Sequence, residues 1–83
     1  MKKLEIGGLY RHYKGYTMKV LCEAFHTETE EATVVYIHLE DGVIWARPKK
    51  MFLENIVVDG KKTERFKNIK QKVLVKPNKK LTK

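Results

Sequence analysis

Three turn signals, Lys14-Gly15, Asp41-Gly42 and Asp59-Gly60, divide the first 66 residues of this chain into short segments. Segments of that length, bounded in this way, have the spacing of strands in a small barrel or sandwich. Each dipeptide is flanked by strand-like runs. Asp-Gly is favoured in two-residue type I′ hairpins because it tolerates positive φ at both positions. Three hairpins and an all-β domain are the expectation.

The hydrophobic pattern between the turns agrees. Tyr16, Met18, Val20, Cys22 and Ala24 fall on one face and Thr17, Lys19 and Glu23 on the other, the period of two of a half-buried strand. Leu21 and Phe25 interrupt the polar face. Cys22 then reads as a small buried hydrophobe among Met18, Val20 and Ala24. Across residues 33–39, Val35, Ile37 and Leu39 oppose Val34, Tyr36 and His38, so both faces of a curved central strand are partly covered. Residues 43–47 form the return strand, and Pro48 forbids its simple continuation. One helical turn, α or 3₁₀, is predicted over residues 49–53, because proline is pre-set for a first helical position. Residues 56–58 and 63–66 pair across Asp59-Gly60. Val73-Leu74-Val75 is the only apolar cluster beyond residue 66 and offers an edge strand to this chain or to a partner.

Composition decides which classes of function stay open. At 83 residues the chain has room for one domain, and its longest apolar run is far short of the roughly 20 residues that span a bilayer. Met1 to Gly8 places an acid and two glycines where a secretory leader needs its apolar stretch, and the single cysteine, Cys22, excludes an internal disulfide. A cytoplasmic location without membrane partners is expected. The net charge of +8 is unevenly distributed: residues 1–66 hold eleven Lys/Arg against all ten Asp/Glu, and residues 67–83 hold seven Lys and no acid. The body, residues 1–66, is therefore separated from a lysine-rich tail, residues 67–83, that is flexible or adds one edge strand. Lysine supplies point charges rather than the forked contacts of arginine, so the tail's first reading is a solvated, solubilising segment.

Four ordered motifs narrow the fold further. They are Gly8-Leu9-Tyr10-Arg11-His12-Tyr13-Lys14-Gly15, His26-Thr27-Glu28-Thr29, Val34-Val35-Tyr36, and the run from Trp45-Ala46-Arg47-Pro48 to Phe52. Together they resemble domain-of-unknown-function family 1653, found in bacteria and phages, and the resemblance implies a small SH3-like barrel. It implies no activity, because the family has none assigned. Thr27 stands where the family commonly has serine, and the lysine tail lies outside the pattern.

Catalytic constellations fail on geometry. Cys22 and His26 lie about 13 Å apart along an extended strand, too far for a nucleophile and its base. His12, His26 and His38 are widely spaced with no close Cys or His pair, which gives no metal-site signal. No phosphate-cradling glycine loop is present, no acid/base pair has credible spacing, and no cofactor is implied. What remains is a set of aromatics and cations, Tyr10, Arg11, His12, Lys14, Tyr36, Trp45 and Arg47, joined by His26 and Glu28 from the second motif. Aromatic faces stack on bases and cations hold phosphate, a combination suited to a nucleotide-like anion. The simpler account is that Tyr10, Tyr36 and Trp45 form an aromatic core with Arg47 covering an edge. The leading expectation is a non-catalytic module that binds a small anionic, nucleotide-derived ligand, as a sequestering protein of phage type would. A nucleic-acid module using the tail, a protein-interaction domain with an aromatic groove, and association with a second copy stay open.

Overall fold

The computed structural model describes residues 3–70. Seven strands and one helical turn follow one another: β1 (Leu9–His12), β2 (Thr17–Phe25), β3 (Ala32–His38), β4 (Ile44–Pro48), α1 (Lys49–Leu53), β5 (Asn55–Val58), β6 (Lys61–Glu64) and β7 (Phe66–Asn68). Five strands form an antiparallel sheet in the order β4-β3-β2-β1-β7, and β5-β6 stand apart as a two-stranded ribbon. The domain is all-β, as expected. Among the described residues the large sheet does not close into a barrel: β4 and β7 remain its two edges.

Local chemistry explains most of the turns. Asp59 and Gly60 have φ of 51° and 77° and join β5 to β6 in the two-residue arrangement that Asp-Gly favours. Asp41-Gly42 looks identical in sequence and behaves differently. Only Gly42 is left-handed there, and the connection occupies residues 39–43, where Val43 N–H donates to Asp41 Oδ1 at 2.9 Å and Gly42 N–H donates to the His38 carbonyl at 2.9 Å. The Asp side chain stabilises a longer loop instead of a tight hairpin. Pro48 ends edge strand β4, where its missing N–H interrupts no ladder, and α1 starts at Lys49 with Pro48 in the capping position at φ −53° and ψ 135°.

One register shift reorganises β2. The pairing with β3 jumps between Val20 and Cys22, so Leu21 is an extra residue and the strand bulges there. Met18 and Val20 are fully buried before the bulge, whereas Cys22 and Ala24 are exposed after it. The expectation of a core Cys22 is therefore corrected: the extra residue inverts which face each later side chain takes. Glu23 gains the inner side, where Lys49 Nζ of α1 meets its carboxylate at 3.2 Å.

The core is Tyr10, Met18, Val20, Val34, Tyr36, Phe52 and Phe66, with Leu4, Tyr16 and Leu53 packed against it. Phe52, projected from the single turn of α1, stacks on Phe66 at 4.3 Å between centroids and meets the edge of Tyr10 at 5.2 Å. Residues 63–66 do not form one strand across Asp59-Gly60 as expected. Arg65 breaks the run, held by its Nε and Nη2 on Glu54 Oε1 at 3.1 and 2.7 Å, and Phe66 begins β7 against β1. The sheet thus extends to Asn68, past the residue 66 at which the charge distribution placed the body's end. Val73-Leu74-Val75 and the lysines beyond Lys70 lie outside the described residues.

Candidate functional site

Residues directly opposite in an antiparallel ladder point to the same face, so the register alone assembles a row of side chains. His12 lies opposite Phe66, Met18 opposite His38, Tyr36 opposite Trp45, and Val34 opposite Arg47. The same face that buries Met18, Val34 and Tyr36 therefore carries His12, His38, Trp45 and Arg47 toward one end. The rings there are continuous. His12 stacks on Tyr16 at 4.5 Å and 6°, Tyr16 lies 5.2 Å from His38, and His38 lies 5.9 Å from Trp45 and 5.8 Å from Tyr36. Trp45, half-exposed, terminates the row at solvent.

Arg47 is the unusual member. Its guanidinium carbon sits 5.5 Å from the centre of the Phe66 ring, and its Nε is buried without a hydrogen-bond partner. Arg65 nearby has the carboxylate of Glu54; Arg47 has no such neighbour among the described residues. A buried donor left unmade costs about 1–3 kcal/mol, and more when the group is charged, which makes this atom a place where an anionic acceptor would be favourable.

His12 is buried, with Lys14 N–H donating to its Nδ1 at 3.1 Å, so its neutral form carries the proton on Nε2. Its pKa is lowered from the ordinary 6.5, first by desolvation and then by the charges of Arg47, Arg65, Lys14 and His38. Below 6.5 the unfolded chain takes a proton that the folded one resists, so stability rises with pH between the folded value and 6.5. Melting temperatures measured on either side of pH 6.5 are expected to fall with acidification. That component of the fall is expected to be lost in His12→Gln, and an unchanged profile in the variant would assign it to other groups.

The remaining candidates from the sequence separate. Tyr10 is only 3% exposed, and its hydroxyl accepts from Glu5 N–H at 3.0 Å; it is a core residue, closed to stacking on a ligand. Tyr36 is likewise buried and serves as the floor beneath His38 and Phe66. Arg11 projects to the opposite face, since its neighbours His12 and Tyr10 point inward. Lys14 is exposed, with its Nζ 5.8 Å from the Tyr13 ring centre. His26 and Glu28 occupy the exposed β2–β3 loop, where Glu28 and Thr29 N–H donate to His26 Nδ1 at 3.2 and 3.4 Å. Those bonds stabilise the loop and bring neither residue to the ring row.

A match by sequence covers the whole of this arrangement. Residues 8–68 fit the profile of the family described as protein of unknown function (DUF1653). The chain belongs to DUF1653. A crystal structure of a DUF1653 protein from Bordetella bronchiseptica has the same fold, with a TM-score of 0.72 and 30% identity over 82% of this chain and 90% of that one. No curated protein matches the chain. The DUF1653 region runs from just before β1 to the last residue of β7, so it contains every member of the ring row and all three arginines.

Sequence reasoning missed Tyr16, His38, Phe66 and Arg65 in this DUF1653 chain. For His38 a signal existed: it follows Tyr36 by two in β3, which places both on one face. Phe66 and Arg65 gave none, because their position depends on β7 joining β1.

Proposed function

We propose that this DUF1653 chain is a non-catalytic module that binds a small anionic, ring-bearing ligand of nucleotide type at Trp45, His38 and Arg47. The observation that supports the reading is the buried, unpartnered Arg47 Nε on the sheet face that also carries the row of aromatic rings, which opens to solvent at Trp45. An anionic oxygen would complete Arg47, and a base or similar ring would stack on the exposed indole. His12 adds a neutral donor and raises no barrier to an anion. Because an anion beside His12 stabilises its protonated form, binding is coupled to proton uptake and tightens as pH falls.

Thermal stabilisation of the full chain by nucleotides, cyclic dinucleotides and ADP-ribose derivatives tests this directly. Binding to the native state at a hundredfold excess over Kd contributes about 2.7 kcal/mol. One small anion is expected to raise the melting temperature of the parent chain, and Trp45→Ala is expected to abolish that shift. No shift across the panel, or a shift that survives Trp45→Ala, would remove the proposal.

A further inference from the structure

A second cationic feature adjoins the ring row at His12, which lines both. Between ribbon strand β6 and the β1–β7 edge of the large sheet is a cleft of about 680 Å³, lined by Arg11, Tyr13, Lys62, Lys67 and Lys70, with Glu64 as its one carboxylate. Arg11 and Lys67 are directly opposite in the β1–β7 ladder. Like charges facing each other in that position are destabilising. Among the described residues, none of the four cations has a carboxylate partner of its own. Four cations converging on a concavity, two of them forced together by register, form a site whose electrostatics are completed by an anion in the cleft.

The anion's class follows from shape and charge. A concavity of this volume accommodates a molecule of drug-like size, hence one or two nucleotides of a single strand and not a duplex. Tyr13 in the wall supplies a π-face, and cations bordering an aromatic are the arrangement that holds a single-stranded backbone without reading its sequence. A polymer whose charge repeats can meet several of the cleft's spaced cations at once, whereas a lone phosphate cannot. We propose that this cleft is a sequence-independent binding site for single-stranded nucleic acid. Its four cations are separate from Arg47 and Trp45, and His12 is the one residue that borders both sites.

Fluorescence anisotropy of the full chain with a labelled oligothymidylate, measured across a salt series, tests the assignment. Each phosphate contact to a single strand contributes a slope of about −0.7 in log K against log salt. Replacing the four cleft cations together (R11Q, K62Q, K67Q, K70Q) is expected to reduce that slope by about 2.8 and weaken binding at low salt. A control with the same loss of charge elsewhere (K3Q, K19Q, K50Q, K61Q) is expected to leave most of the slope in place. Arg47→Met is expected to retain oligothymidylate binding, which separates this site from the small-ligand site. An unchanged slope in the cleft variant, equal losses in both quadruple variants, or no binding by the parent chain would overturn the proposal. Circular dichroism melts establish that the variants fold, and relief of the Arg11–Lys67 repulsion predicts a cleft variant at least as stable as the parent.

Discussion

Phe52→Ala is expected to lower the urea midpoint of this domain by about 2 M with little change in the steepness of the transition. Phe52 is fully buried and contacts three other core rings: it stacks on Phe66, meets the edge of Tyr10 and lies 5.5 Å from Tyr36. Truncating a buried phenylalanine costs about 3–5 kcal/mol through lost transfer energy and the cavity left behind. A chain of this size has a total stability of roughly 4–12 kcal/mol, so one side chain represents a large part of it. With slopes of about 1–3 kcal/mol per molar in urea, the loss corresponds to the stated midpoint shift. The position matters as much as the size. α1 is a single turn whose one fully buried side chain is this ring, with Leu53 partly buried against the core beside it and no side-chain cap at its start. Phe25→Ala is the contrast: its ring is 76% exposed, and the expected change is within about 0.5 kcal/mol. Equal effects of the two substitutions would mean that α1 does not close the core as described.

Arg47→Met is expected to separate stability from binding. Methionine keeps the length and apolar stem that cover Phe66 while removing the buried, unpartnered Nε. Loss of an orphaned donor favours the folded state by about 1–3 kcal/mol, and loss of the cation–π contact opposes it by about 0.5–1 kcal/mol. The net expectation is a gain of about 1 kcal/mol, read as a rise in melting temperature of several degrees. Stabilisation by the small anion should disappear at the same time. A residue present only for packing would give the opposite result, a less stable variant with ligand response intact. Destabilisation of that kind would make Arg47 a structural residue.

How far these features could be read from the sequence depends on whether they are local. Asp59-Gly60 and the turn after Pro48 are set by neighbouring residues and come out as expected. Asp41-Gly42 carries the same dipeptide as Asp59-Gly60, yet Asp41 uses its carboxylate on Val43 and a longer loop results. The bulge at Leu21 is invisible in the alternation, because Cys22 and Ala24 are apolar and continue the pattern on paper; only pairing with β3 reveals the extra residue. The site divides in the same way. Trp45 and Arg47 share a face by parity, as do Tyr36 and His38, so half of the ring row was legible. His12 joins it only through the β1–β2 and β1–β7 registers, and the same parity sends Arg11, its neighbour in the same motif, to the opposite face and into the cleft.

The pairing of β7 with β1 also governs when the protein can finish folding. His12 meets Phe66, so more than fifty residues must leave the ribosome between the two halves of that ladder. Strands β1 to β4 pair with their neighbours in order of synthesis, and the nascent sheet then has an open edge along β1 until the last strand emerges. Such an edge is a template for other chains on the same messenger. The late arrival of Phe66 also completes the stack on Phe52, so β1 gains its partner, the short β7 takes its place as the edge, and the core is filled in one step. A chain terminated just short of β7 would keep its hairpins and lose both, leaving an aggregation-prone sheet in place of a shortened domain.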